Sequence, residues 1–248
     1  LLITGIGTFI FLYASSYLKG HEHINRFFAY LTMFMGSMLG LVLSDNLLTL
    51  FIFWELTSIT SFFLIGFDNN NEDARKSALL ALGITGLGGF FLLGGIIGLG
   101  VITDTYSISE LIAQKDFIQT NQLYPFIVIL IFIGAFTKSA QFPFHFWLPG
   151  AMKAPTPVSA YLHSATMVKA GIYLIARMNP TLGGTDIWNI TLTVVGGITM
   201  LYAAFQSVFK TDLKGILAYS TIASLGIMVF LLGLNNEYSI QAVATFIV

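Results

Sequence analysis

Long apolar runs separated by short polar breaks set the pattern of this chain. A membrane-crossing helix needs about 20 apolar residues. Runs of that kind fall at 1–17, 27–43, 47–67, a glycine-rich stretch ending near 102, 124–152 with an interruption around Pro143, 158–177, 187–209 and 216–234, and a ninth opens near Tyr238. Strand-like alternation is absent and the runs are too long for strands. The pattern therefore predicts an all-α fold: a polytopic transmembrane helix bundle of eight to nine spans with one discontinuous helix. Ser44-Asp45-Asn46 is a tight break with side chains suited to N-capping. The longest connector, 103–122, carries Asp104, Glu110, Lys115 and Asp116 and has room for a short amphipathic surface helix.

Composition strengthens this reading. Only 9% of the 248 residues are charged and 56% are hydrophobic, against about 25% charged in soluble domains, so the expected surroundings are the lipid bilayer. A net charge of −1 excludes a basic nucleic-acid surface or a polybasic membrane-binding face. No cysteine is present, which excludes disulfides, iron–sulfur ligation and thiolate metal sites within the chain. Leu1 and Val248 both stand inside apolar runs, without an initiator Met or a signal-peptide n-region, and the chain reads as a fragment of a longer polytopic protein.

Basic residues divide unevenly between the two ends of the expected spans. Lys19, Arg26, Arg75, Lys76, Lys153, Lys210 and Lys214 fall on one side, Lys115 and Arg177 on the other. The positive-inside rule places the richer side in the cytoplasm.

Glu55, Lys138, His163 and Lys169 stand out within the spans. An ionised side chain at the bilayer centre costs at least about 2.5–3.5 kcal/mol on insertion scales, so such residues mark ion or proton paths. On one continuous helix, His163 and Lys169 would stand about 9 Å apart along the axis at ~1.5 Å per residue. Lysine changes its proton affinity with burial and with a nearby carboxylate, and histidine titrates near neutral pH, so the four can pass a proton along. Thr137, Ser139, Gln141, Ser164 and Thr166 can hold bridging waters, and a break at Pro143 frees backbone carbonyls at membrane depth.

Each feature also has a plainer reading. Glu55 or Lys138 taken singly is accounted for by an interhelical ion pair. His145, between Phe144 and Phe146 and near Trp147, reads as structural or interfacial. His21 and His23 have metal-pair spacing, yet only Glu22 accompanies them, and they read as solvated loop residues. The glycines between Gly83 and Gly100 allow close helix packing; no strand precedes them, so they form no nucleotide motif. No cofactor is called for.

Longer motifs carry a resemblance. Thr137-Lys138-Ser139-Ala140-Gln141-Phe142-Pro143, the run from Ala154-Pro155-Thr156-Pro157 to Met167-Val168-Lys169-Ala170-Gly171, Thr211-Asp212-Leu213-Lys214-Gly215, and Phe53-Trp54-Glu55-Leu56 resemble the proton-conducting antiporter-like subunits of complex I and of Mrp antiporters. The details look most like the Mrp A-type subunit: Thr85-Gly86-Leu87-Gly88-Gly89 stands where the complex I counterpart has an arginine and an acidic residue. The resemblance implies a fold of about fourteen helices with two inverted five-helix repeats. The first repeat would cover about 27–178, and 187–248 would open the second, all within one proton-conducting domain.

Carried over by motif position, Glu55 and Lys138 become a coupled pair, His163 the connecting relay and Lys169 the lysine towards the centre. Ser139 and Thr166 support them. Lys76 and Lys214 match basic positions of the family, with a structural role open for Lys214. The implied function is one component of a multisubunit Na+/H+ antiporter, multi-pass in a bacterial inner or plasma membrane, with other membrane subunits as partners and H+ and Na+ as transported ions. The Na+ site is not assignable, and the second half-channel would lie beyond Val248. The alternative is a proton-pumping membrane-arm component of complex I or of a membrane-bound hydrogenase. A third reading is a membrane scaffold that kept the fold; the presence of Glu55, Lys138 and His163 argues against it.

Overall fold

The computed structural model describes residues 2–247, the side chains of Ser164, Ala165 and Ile247 excepted. The helices in chain order are α1 (Gly7–Tyr17), entered through a π-turn at Leu2–Ile6, α2 (Ile24–Leu43), α3 (Leu47–Ile65), α4 (Glu72–Thr103), α5 (Ile108–Ala113), α6 (Lys115–Thr120), α7 (Tyr124–Lys138), α8 (Trp147–Ala151), α9 (Thr156–Val158), α10 (Lys169–Leu182), α11 (Asp186–Val208), α12 (Leu213–Leu234) and α13 (Glu237–Ile247). Five of these, α2, α3, α4, α11 and α12, are long and apolar enough to cross a membrane, and Leu2–Tyr17 and Tyr124–Lys138 form shorter apolar helices. Large apolar side chains such as Phe90, Leu201 and Leu213 stand on the outside, as they do where lipid replaces water as solvent.

Helix starts follow the capping chemistry legible in the sequence. The Asn46 side chain accepts the N–H groups of Leu48 and Thr49 at the start of α3, and Asn71 does the same for Asp73 and Ala74 at the start of α4. Each satisfies donors that the first helical turn leaves without partners. Short links make α2, α3 and α4 antiparallel neighbours; α7 packs on α4, α10 on α7, and α11 with α12 forms a hairpin. Part of the α4–α7 closeness comes from the expected glycines: a Cβ at Gly95 would stand 2.7 Å from the Ile131 side chain.

Three expectations change, the first two at helix breaks. The interruption of the fifth run begins before Pro143, because α7 ends at Lys138. Ala140 takes the left-handed conformation (φ 50°), and the Gln141 N–H closes back on the Phe136 carbonyl at 2.9 Å, a helix stop normally built on glycine. The stretch 158–177 is not one helix. A π-turn at Ser159–Ala165 follows α9, Thr166 leaves helical geometry (φ −133°, ψ −72°), and α10 begins only at Lys169. The Thr166 hydroxyl donates to the Tyr161 carbonyl at 2.7 Å and the Met167 N–H to the Leu162 carbonyl at 2.9 Å, which widens the turn by one residue. His163 and Lys169 therefore sit on separate helical segments, and their spacing on an unbroken helix does not apply.

The connector 103–122 is folded as α5 and α6 rather than as one surface helix. The Leu47 N–H donates to the Tyr106 carbonyl and the Ile108 N–H to the Asp45 carbonyl. Ser107, Ser109 and the Arg177 guanidinium all donate to the Asp45 carboxylate, at 3.2, 2.9 and 3.0 Å. The Ser109 hydroxyl foremost, with Ser107 and Arg177, holds the Asp45 carboxyl below the usual carboxylate range. A depressed folded value contributes stability above the unfolded value, and the contribution is lost as pH falls through the folded one. Amide-exchange protection of α5 should accordingly drop as pH falls below about 4. Asp45→Asn should show the lowered protection already at neutral pH and lose this dependence.

Candidate functional site at the broken helices

Lys138 is the last residue of α7 and is fully buried. Its ammonium stands at the carbonyl end of the helix, where the macrodipole favours a cation. Nζ donates to the Trp54 carbonyl at 3.0 Å and to the Ser58 hydroxyl at 2.6 Å, both on α3, and lies 5.1 Å from the centroid of the Trp54 ring. Two of the three donor directions of the ammonium are thus used.

Glu55, one residue beyond Trp54 on α3, is half-buried. Its Oε1 is buried without a hydrogen-bond partner, and the pair with Lys138 is open, with no N–O approach within 4.0 Å. The carboxylate rests instead over α4, where a Cβ on Gly89 would collide with Oε1. Gly88 makes the matching space for the Thr137 side chain. The Gly88–Gly89 step is thus a seat for the carboxylate as well as a packing surface. Gly89→Ala should push the flexible carboxylate aside at little cost in stability. Any process that depends on where the carboxylate rests should be slowed several-fold while the amount of folded protein recovered stays near that of the parent. A matching fall in recovery would make the glycine a packing residue only.

His163 lies on the π-turn and is fully buried, its ring turned to the Ala151 carbonyl without a hydrogen bond of regular geometry. Trp147 stands between it and the end of α7: the indole N–H donates to the Thr137 carbonyl at 2.9 Å, and the indole ring meets the His163 ring edge-on at 6.2 Å. Lys169 opens α10 and lines a cavity of about 240 Å³ with Ser220, Thr221 and Ser224 of α12. Two residues further on, Gly171 lets α10 approach the end of α7: a Cβ there would collide with the Ala135 carbonyl. Glu55 and Lys138 thus neighbour each other across α3 and α7, Trp147 joins the end of α7 to His163, and Lys169 lies on the separate α10 segment.

The supporting residues divide. The hydroxyls of Ser139 and Thr166 are committed to backbone carbonyls of their own segments, at 2.7 Å each, and the side chain of Ser164 lies outside the described residues. The Gln141 amide donates to the Ser139 carbonyl while its oxygen is buried without a partner. Lys214 donates to the Met152 and Ala154 carbonyls at 3.0 Å each and so ties the start of α12 to the loop after α8. Lys76 pairs with Glu72 at 2.7 Å at the exposed start of α4, apart from the buried cluster. His145 packs on Tyr202 with ring centroids 4.7 Å apart. Trp147 and Gly89 were not singled out by sequence reasoning. A tryptophan in an apolar run and a glycine among many carry no local signal of their neighbours.

A bundle with ionisable groups lodged where its helices break is the arrangement of polytopic ion-translocating proteins. The chain belongs to the NADH:quinone oxidoreductase/Mrp antiporter transmembrane family, whose model matches residues 44–248. Residues 1–28 match the N-terminal model of chain 5 of NADH-ubiquinone oxidoreductase (complex I). The chain is 53% identical over 237 residues to the A-type subunit of the Na(+)/H(+) antiporter of Alkalihalophilus pseudofirmus, covering 95% of this chain and 29% of that protein. It is 50% identical to the A/B-type subunit of a probable K(+)/H(+) antiporter of Rhizobium meliloti, covering 100% of this chain and 25% of that protein. Its fold matches a chain of the Mrp complex from a Dietzia species with TM-score 0.94 and 40% identity, over 99% of this chain and 27% of the other. An archaeal membrane-bound sulfane sulfur reductase shares the fold at TM-score 0.83 and 22% identity, over 92% of this chain and 47% of the other. The chain thus spans less than a third of the length of the antiporter proteins it matches.

Proposed function

We propose that this chain is part of the A-type subunit of a multisubunit monovalent cation/proton antiporter, and that protons pass through it by way of Glu55, Lys138, His163 and Lys169. The observation that carries the reading is the open pair at the end of α7. A fully buried ammonium with a spare donor direction faces a buried, unpartnered carboxylate oxygen across a gap wider than an ion pair. Closing or opening that gap changes the charge environment of both groups, and so links proton transfer to a shift of α7 against α3. The inverted repeats at about 27–178 and 187–248, and the eight to nine spans, belong to the same proposal. So do multi-pass insertion in a bacterial inner membrane with the Lys153 end inward, and partnership with further membrane subunits. Similarity at 50–53% identity to antiporter subunits supports it.

The test is exchange in everted membrane vesicles carrying the whole complex. Addition of Na+ or K+ after a pH gradient has been established should collapse that gradient with no electron donor present. Gradient formation that depends on NADH or another reductant, with no response to cation, would instead support the redox-driven alternative.

A further inference from the structure

At the end of the bundle that carries Lys19 and Lys153, the starts of α2 and α4 and the end of α3 surround a cavity of about 280 Å³. Its upper wall holds two arginines, Arg26 and Arg75, and its lining contains no carboxylate. Both guanidinium groups are turned onto one loop: Arg26 donates to the Phe67 carbonyl at 3.5 Å and Arg75 to the Asn69 carbonyl at 2.5 Å. Neither has a carboxylate within ion-pair distance among the described residues. Of the acids in the vicinity, Glu72 pairs with Lys76 at 2.7 Å and Asp73 with Lys153 at 3.9 Å, while Glu22 and Asp68 line the adjoining space beside Arg26. Arg26 is also held over the Phe67 ring at 5.4 Å, and its Nε is buried without a partner.

Below the arginines the cavity becomes an apolar trough. Tyr30 and Phe63 stack at 5.0 Å, and Phe63 and Leu79 are exposed on the outer face of α3 and α4. A wider space of about 400 Å³ adjoins it on the solvent side, shares Arg26 and Phe67, and is lined by His21, Glu22, His23 and Asp68. Asp68 accepts the Asn70 N–H at 3.3 Å. Two forked donors above an aromatic and aliphatic trough match a molecule with a phosphodiester head and an acyl tail. The level also fits, because the cavity lies where three spans end, at the polar boundary of the bilayer.

We propose that this cavity binds one anionic phospholipid, its phosphate between Arg26 and Arg75 and one acyl chain along Tyr30, Phe63 and Leu79. The two guanidinium groups give the phosphate level of the site its positive charge, and the hydroxyls of a glycerol-type head can donate to Glu22 and Asp68 in the wider space. The wider polar space beyond would hold the glycerol-type head.

Native mass spectrometry of the intact complex, exchanged into micelles containing phosphatidylglycerol or phosphatidylethanolamine, tests this. The parent should retain one more phosphatidylglycerol than Arg75→Gln or Leu79→Glu, two changes at exposed positions that leave the buried cluster untouched. The adduct should weaken as salt is raised. Equal retention by parent and variants overturns the site. Retention of phosphatidylethanolamine as strong as that of phosphatidylglycerol overturns the charge preference, and displacement by soluble glycerophosphate alone overturns the role of the trough.

Discussion

Lys138→Ala should reduce cation-dependent proton exchange to the background of vesicles lacking the complex. The substitution removes the cation lodged at the end of α7 and leaves the Trp54 carbonyl and the Ser58 hydroxyl without their buried donor. Hydrogen bonds to a charged group contribute about 1.5–3 kcal/mol each, so some destabilisation must be separated from loss of transport. Recovery of the assembled complex after detergent extraction provides that separation, because an assembled but inactive variant places the defect in transport. Exchange that continues at half the parent rate or better in an assembled complex would remove Lys138 from the path. Lys138→Arg is a useful companion: it keeps a charge, yet a planar fork cannot reproduce bonds to Trp54 and Ser58 from a compact ammonium. Activity well below the parent is expected from it as well.

Glu55→Gln is expected to lower exchange on the order of tenfold, the equivalent of about 1.4 kcal/mol, and to displace its pH profile. The amide is close to the carboxylate in shape and fits the same space over Gly89, so packing is preserved while the charge is lost. Because the pair with Lys138 is open, the variant breaks no ion pair and should assemble normally. What it removes is the charge that makes the environment of Lys138 depend on the relative position of α3 and α7. A reduced maximal rate with an unchanged pH profile would show that Glu55 positions other groups but is not coupled to Lys138. The Gly89→Ala variant bears on the same coupling from the other side, since it moves the carboxylate without changing its charge.

Lys76 and Lys138 illustrate how differently an exposed and a buried charge are read. Both match basic positions of the family motifs, yet Lys76 pairs with Glu72 on the exposed first turn of α4, the kind of i,i+4 pair that contributes only about 0.2–0.5 kcal/mol. Lys138 has no exposed surface and rests on backbone and hydroxyl oxygens. The sequence already sets Lys138 inside an apolar run and Lys76 at the polar edge of one; the packed chain adds the groups on which each rests.

Much of the architecture was legible because membrane insertion imposes local rules. Run length predicted α2, α3, α4, α11 and α12, since a helix in lipid must satisfy its own backbone over about 20 residues. Ser44-Asp45-Asn46 marked the start of α3 through chemistry that acts within three residues, and Asn71 caps α4 by the same chemistry. The presence of Glu55, Lys138, His163 and Lys169 in apolar surroundings singled them out because charge there is costly wherever the helix lies.

Features that depend on neighbours distant in sequence emerged only with the packed chain. The left-handed Ala140 ends α7 at Lys138 rather than at Pro143, and the π-turn before Thr166 separates His163 from Lys169. Neither shows in hydropathy, because isolated polar residues such as Gln141 and His163 do not interrupt apolar runs of this length. The seat of Glu55 on Gly89, the Trp147 bridge between Thr137 and His163, and the two unpaired arginines over an apolar trough all join residues from different helices. Residue order was enough to say which charges need a reason for lying in the membrane. The packing of α3, α4, α7 and α10 then set which of them face one another, because a side chain's partner follows from the approach of helices and not from its place in the run.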